Sequence, residues 1–353
     1  MTPEFYKIFA EYREISVRYD EPHKAVWCYF NPAPNPCFSL QMLQDLRLMQ
    51  QNIIDFFNEL NPREEAPIRY LVVCSQIPGI YNLGGDLSLF INLIREQKKT
   101  QLLDYAIHCI DNVFLNSVSM NLPVTTVSLV EGAALGGGFE TALSGNLLIA
   151  TEEAEMGFPE IRFNLFPGMG AYSLLARLVG TVTTEKIIGS GTIYSAGELY
   201  DMGIVNHLIG SDNVRENVER ILRQHSHSDN GFQAMMLARH RCNPVTYQEL
   251  EDIVRIWVDA ALRLTQRDLK MMERLIKAQQ AKMRQQEKRF LLRTKQDRRF
   301  SGKAVTFPLT DGSGRTIHYD RRHNNDRRRE KSTLNPITRE KTISDHASSP
   351  VVH

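Results

Sequence analysis

The chain has 353 residues, 42% of them hydrophobic, and its 42 Lys and Arg nearly balance 41 Asp and Glu for a formal net charge of +1. That length supports one large core with appendages, and the near-neutral balance gives no global field to draw nucleic acid or an acidic membrane surface. No run approaches the roughly eighteen apolar residues of a membrane span, and Met1-Thr-Pro-Glu-Phe-Tyr-Lys7 lacks a signal peptide's apolar centre. Five cysteines, scattered and without a Cys-x-x-Cys pair, read as reduced packing thiols. A cytoplasmic protein with no metal cluster and no resident cofactor is expected.

In chain order, Ser39 is the first clear helix signal. As an N-cap it precedes Leu43, Leu46, Ile53 and Phe57 at near-helical spacing, which predicts a helix over Leu40–Phe57. Strand-like Ile68–Cys74 meets a Pro78-Gly79 turn and leads into Ile80-Tyr-Asn-Leu-Gly-Gly85-Asp86-Leu87. A helix is expected from about Leu102 to Ser117, ahead of the Leu122-Pro123 break. Strand-like Thr125–Val130 then runs into Glu131-Gly-Ala-Ala-Leu135-Gly136-Gly137-Gly-Phe-Glu140, with Thr141–Leu148 read as the helical turns that follow. Glu160 comes about twenty residues later, in Met156-Gly-Phe-Pro-Glu160. From about Gly231 to Phe290 the pattern turns helical. Leu250, Ile253, Val254, Trp257, Ala261 and Leu264 form an apolar stripe that Leu269, Met272 and Leu275 extend.

Three parts are therefore expected. Residues 1–225 alternate strand and helix signals as layered α/β folds do, 226–290 are helical, and 291–353 form a basic, largely disordered tail. Within that tail Phe300–Phe307 with Leu309 reads as extended, Thr310–Arg315 as a turn and Tyr319–Arg329 as a solvated basic run.

The glycine blocks carry the chemistry. Glycines where a strand meets a helix let backbone N–H groups approach a ligand closely, and two such exits supply the two donors an oxyanion hole needs. Glu140 and Glu160 add two proton-transfer groups. Together these suit chemistry beside a carbonyl.

At these residues the chain resembles the crotonase (enoyl-CoA hydratase/isomerase) superfamily. The resemblance rests on Tyr81-Asn-Leu-Gly-Gly85-Asp86-Leu87, Leu135-Gly-Gly137-Gly-Phe-Glu140, Phe158-Pro-Glu160, Phe166-Pro-Gly168-Met-Gly170 and Tyr194-Ser-Ala-Gly-Glu-Leu-Tyr-Asp-Met-Gly203, and covers roughly residues 20 to 285. It implies a ClpP/crotonase-like α/β fold, a repeated ββα spiral core with a C-terminal helical region over the active site or a neighbouring subunit. It further implies that the Gly85 and Gly137 N–H groups hold a thioester oxygen. Glu140 and Glu160 stand at both positions of the hydratase carboxylate pair, which points to adding or removing water across the α and β carbons. Leu135, Gly136, Met169 and Trp257 are expected at the acyl-binding walls, although Met and aromatic residues at helical spacing more often simply pack.

The opening Asn31-Pro-Ala-Pro-Asn-Pro-Cys37, the block Tyr81–Leu87, and Tyr12-Arg13-Glu14 are most similar to bacterial diffusible-signal-factor synthases. Those enzymes dehydrate a 3-hydroxyacyl chain on acyl carrier protein to the cis-2-enoyl chain and can cleave the thioester. The partners implied are acyl carrier protein (or CoA) bearing the substrate, a receiver domain of a sensor histidine kinase, and further copies of the chain in a trimer or hexamer. A conventional enoyl-CoA hydratase/isomerase is the alternative. Against it stand the unusual opening and the lack of a basic residue after Asp86 until Arg95.

Overall fold

A computed structural model describes residues 2–32, 35–61, 65–296, 309–310 and 316–317. The first of two compact units runs to Arg293 and holds a main sheet, a smaller sheet and all the helices up to that point.

Six strands form the main sheet: β1 (Ile15–Asp20), β2 (Ala25–Phe30), β3 (Tyr70–Ser75), β5 (Thr125–Val130), β7 (Leu147–Thr151) and β10 (His207–Ile209), side by side in that order. Only β1 and β2 are antiparallel; the other neighbours are parallel. Strands β5 and β7 are buried at every residue, as parallel strands covered on both faces must be. The smaller sheet pairs β4 (Gly79–Asn82), β6 (Gly132–Leu135), β8 (Glu155–Gly157) and β9 (Ile193–Ser195). The chain thus climbs repeatedly from a main-sheet strand to a small-sheet strand and then into a helical segment. This repeated ββα spiral is the crotonase fold.

The helices are α1 (Pro3–Lys7), α2 (Leu40–Glu59), α3 (Leu87–Arg95), α4 (Lys99–Ser117), α5 (Gly137–Leu143), α6 (Ala171–Ser190), α7 (Ala196–Asp201), α8 (Val214–Ser226), α9 (Asp229–Cys242), α10 (Tyr247–Ala261) and α11 (Gln266–Gln296). Ser39 caps α2 as expected, its Oγ accepting from the Met42 N–H at 3.0 Å. Buried Asp45 on α2 accepts from the N–H groups of Arg13 (2.9 Å) and Glu14 (2.7 Å), which pins the N-terminal segment across this helix. Leu250, Val254, Trp257 and Ala261 bury the expected face of α10, and Leu269 and Met272 continue it on α11. Helix α10 lies against α4.

Thr141–Leu148 departs from expectation. The helix starts four residues earlier, at Gly137, and ends at Leu143. Leu147 already belongs to β7. Gly145 is the reason: a Cβ there would lie 2.6 Å from Ser128 Oγ, so the chain turns tightly against β5 instead of continuing the helix. In the C-terminal unit, Leu309–Thr310 (β11) pairs antiparallel with Thr316–Ile317 (β12). The expected turn between them, the extended run before Leu309, the basic run and the tail lie outside the described residues.

Candidate active site

Two backbone loops meet at the C-terminal ends of β4 and β6. Asn82, fully buried, accepts from the Gly84 N–H at 2.8 Å through Oδ1 and shapes the first loop. Asp86 then caps α3, accepting from the Ser88 and Leu89 N–H groups at 3.0 Å each. In the second loop Gly136 has φ +53° and ψ −124°, a conformation open only to glycine, and its N–H donates to Gly157 O at 2.9 Å. Phe139 and Glu140 N–H fold back onto Gly136 O, whereas Gly137, first in the helix, has no intrahelical acceptor for its N–H. The loops touch. A Cβ built on Gly137 would lie 3.5 Å from Gly85 N and 3.5 Å from Gly84 Cα.

Glu140 lies one turn into α5 and is 1% exposed. Its Oε1 accepts from the Met169 N–H (2.8 Å) and the Ala171 N–H (3.0 Å), so the Phe166–Gly170 turn clamps it from the far side. Burial pushes this carboxyl up to about 7, and the two N–H groups oppose that rise. Glu160 sits in the 3₁₀ turn Pro159–Phe163. Burial first, and then the charge of Glu140, push it up to about 8. Its residue surface is only half-buried because one side faces the cavity, yet protein surrounds the carboxyl on the others and Oε2 has no hydrogen-bond partner. Gly136 makes room for it: a Cβ at Gly136 would fall 2.2 Å from Glu160 Oε1.

Both carboxyls, Gly84, Gly85, Gly136 and Gly137 line one elongated cavity. Its remaining wall is mainly apolar, with Leu43, Leu46 and Met49 from α2, Leu71 and Val73 from β3, Phe90 from α3 and Trp257 from α10. Trp257 packs edge-on against Phe90, ring centres 5.2 Å apart. A shallower recess shares Leu83, Gly85, Leu87 and Gln279 with it and adds Asn35, Asp86, Ser88 and Gln280. Among the described residues, no lysine or arginine lines either one.

The arrangement couples two backbone donors to two carboxyls of unlike acidity around an apolar slot. Such an arrangement can stabilise an oxyanion while protons move beside it. A scan against known families matches residues 47–252 to the enoyl-CoA hydratase/isomerase model, more than half of the chain. The chain belongs to that family. Among curated relatives of this crotonase, an enoyl-CoA isomerase/hydratase of Penicillium crustosum is 31% identical over 181 residues, covering 51% of this chain and 19% of that protein. The mitochondrial methylglutaconyl-CoA hydratase of Mus musculus is 29% identical over 149 residues, covering 42% of this chain and 45% of that one. The match thus spans less than half of either relative. Among solved structures, an enoyl-CoA hydratase from Bacillus halodurans superposes with a TM-score of 0.64 at 18% identity, over 74% of this chain and 99% of that one. No helix among the described residues of this crotonase is long and apolar enough to cross a membrane.

Of the residues expected at the acyl walls, Gly136, Met169 and Trp257 line the cavity and Leu135 does not. Leu135 ends β6 beside Ile80, Leu83 and Ala133 in a separate small cluster. Met169 contributes more than its side chain, since its N–H holds Glu140. That role, the matching one of Ala171, and the buried amides of Gln50, Asn112 and Asn116 in the cavity wall left no signal in the sequence. Away from the cavity, Asp20, His23 and Glu219 bring ligand atoms within 4.8 Å of one another. The Arg215 guanidinium is bonded to both Asp20 and Glu219 and stacks over Trp27 at 3.7 Å, so the cluster already holds a cation of its own.

The raised carboxyls also bear on stability. Between the ordinary 4.5 and about 8 the folded chain keeps protons on Glu140 and Glu160 that the unfolded chain releases. Stability is therefore present below that window and lost as pH rises through it. A melting temperature that declines from about pH 5 to about pH 8.5 is expected, with a shallower decline in Glu160→Gln. Parallel profiles for the two proteins would show that Glu160 is not held neutral.

Proposed function

We propose that this crotonase dehydrates 3-hydroxyacyl thioesters to 2-enoyl thioesters, carried by acyl carrier protein, and then hydrolyses the thioester to a free cis-2-unsaturated fatty acid. The observation that carries the reading is the placement of two buried carboxyls on one apolar cavity beside Gly85 and Gly137. In the dehydration step Glu160 takes the α-proton, and the thioester oxygen becomes an enolate held by the Gly85 and Gly137 N–H groups. The electron pair then closes the α,β double bond. The β-hydroxyl leaves as water with a proton from Glu140. In the hydrolytic step water attacks the carbonyl in the same oxyanion site, one carboxylate takes its proton, and the pantetheine sulfur leaves as the thiol.

One proton serves the pair throughout. Because two N–H groups hold Glu140 while only its own backbone N–H favours the charged form of Glu160, the resting proton sits on Glu160. That tautomer suits hydration, with Glu160 ready to give and Glu140 ready to receive. Dehydration starts from the opposite tautomer, which one proton transfer within the pair supplies. Both directions need the singly protonated pair. A bell-shaped pH profile of kcat/KM is therefore expected, falling below about 7 as the pair becomes fully protonated and above about 8 as it becomes fully ionised. Initial rates across that range check this, and a flat profile would remove the pair from proton transfer.

The carrier-protein preference draws support from the lip, whose charged group among the described residues is the Asp86 carboxylate. Asn35, Ser88, Gln279 and Gln280 suit pantetheine amides, and among the described residues no lining cation awaits the ADP phosphates of CoA. A quorum-signal role, release of the acid to neighbouring cells, and binding of a sensor-kinase receiver domain belong to the same proposal through the signal-synthase resemblance. The second reading, a conventional enoyl-CoA hydratase/isomerase, is favoured by the relative named for methylglutaconyl-CoA. Mass spectrometry of products from 3-hydroxyacyl-acyl carrier protein and 3-hydroxyacyl-CoA separates them. Free cis-2-enoic acid, mainly from the carrier-bound substrate, supports the first. Trans-2-enoyl-CoA with its thioester intact establishes the second.

A further inference from the structure

The cavity that carries the two carboxyls is not apolar throughout. Gln50 on α2 and Asn112 and Asn116 on α4 line it, and they are only 4%, 8% and 5% exposed. Each has its amino edge committed to protein. Gln50 Nε2 donates to Asn112 O at 3.2 Å. Asn112 Nδ2 donates to Leu43 O at 3.0 Å and His108 O at 2.8 Å. Asn116 Nδ2 donates to Ser144 Oγ at 2.8 Å, while Ser144 spends its own proton on Thr141 O at 2.6 Å. Those partners are carbonyls and a hydroxyl whose hydrogen is already used, so each amide's orientation is fixed by what it meets. The carbonyl edge of each is left over, and Gln50 Oε1, Asn112 Oδ1 and Asn116 Oδ1 are all buried without a partner.

Buried amide oxygens are nearly always bonded, and a group of unbonded ones is a feature to be explained. Three acceptors without a donor among them make a site for donors. Ser144 follows Glu140 by one turn of chain and binds Asn116; Asn112 precedes Asn116 by one turn of α4, roughly 6 Å; Gln50 in turn binds the Asn112 carbonyl. These hydrogen bonds link the amides into one stretch of cavity wall that begins beside the Glu140 helix, and Leu43, Leu46 and Met49 line the same cavity. A fully apolar acyl chain would leave every one of these oxygens bare. An ammonium is a poor occupant, since the carboxyls of this cavity, Glu140 and Glu160, share a proton and stand at the reacting carbons.

We infer that this cavity selects acyl chains bearing a hydroxyl group beyond the reacting carbons, with Gln50, Asn112 and Asn116 as its acceptors. The inference rests on the reading of the cavity as the acyl site, and it names the substrate class of that site: hydroxylated fatty acyl thioesters. Such a site discriminates in one direction, because a chain without the hydroxyl strands polar groups that a matching chain satisfies.

The test uses amide analogues of acyl-pantetheine, which keep the carbonyl for the glycine loops and are not cleaved. Their affinity for the full chain is measured calorimetrically, with a hydroxyl moved one carbon at a time along an alkyl chain of fixed length. At the best position the hydroxylated chain should bind about tenfold tighter than the plain chain. Gln50→Met should cut that advantage severalfold while binding the plain chain at least as tightly. If Gln50→Met does not fold, the comparison of ligands on the wild-type protein alone decides. No position binding tighter than the plain chain, with plain chains bound well and plain 3-hydroxyacyl thioesters turned over, would overturn the inference and leave the proposed reaction standing; the oxygens are then met by water. Failure of every analogue to bind would overturn both.

Discussion

Glu160→Gln is expected to lower kcat/KM for the 3-hydroxyacyl thioester by about three orders of magnitude, roughly 4 kcal/mol of transition-state stabilisation, with little change in KM. The amide is nearly isosteric but neither takes nor gives the α-proton. The change is structurally mild, because Glu160 Oε2 has no hydrogen bond to lose. Glu140→Gln should cost a similar amount, and it too is a clean change. A glutamine oxygen can still accept from the Met169 and Ala171 N–H groups, so the turn that holds it stays in place. Because the carboxyls share one proton, the double variant should be scarcely slower than either single one. Steady-state rates for dehydration and, separately, thioester release would resolve the roles. Full dehydration by either single variant would remove that carboxyl from the mechanism. Loss of release in only one of them would identify the residue that activates water.

The site was legible where chemistry forces composition, and illegible where backbone performs the work. Gly84 and Gly138 are required by the close approach of the two loops, a Cβ at either falling 2.8 Å from Leu135 O or 2.1 Å from Asn82 O, so glycines stand out in any sequence that builds such a junction. Ser39 and the face of α10 were equally plain, since capping and amphipathic spacing are local. Leu147 and Leu148 were misread as helix because they open a strand buried on both faces, a continuous apolar run without alternation. Leu135 was misplaced for a related reason: one step along a strand reverses the face, and the length of β6 before its turn was not visible. The hold on Glu140 comes from main-chain N–H groups at positions 169 and 171, which any two residues would supply. Gln50, Asn112 and Asn116 look like the solvated side of a helix until the packing of α2 on α4 buries them.

Gly136→Ala should lower activity at least about a hundredfold and also destabilise the fold, because two separate requirements fail at one atom. At φ +53° and ψ −124° an alanine is strained by about 1–3 kcal/mol. Its methyl would also sit 2.2 Å from Glu160 Oε1, so the carboxyl must swing aside by more than an ångström. Displacement on that scale is enough for a hundredfold loss. Gly137→Ala provides the contrast. There the nearest atoms, Gly84 Cα and Gly85 N, lie at 3.5 Å, an ordinary contact, and the protein should melt close to the wild type. The methyl nevertheless stands beside the Gly85 and Gly137 N–H groups, where the thioester oxygen would bind, so the rate should fall without the stability. Melting temperature and kcat/KM measured together on both variants separate the requirements. Full activity in a well-folded Gly137→Ala would mean that the two N–H groups hold no oxyanion, and the enolate would need another source of stabilisation.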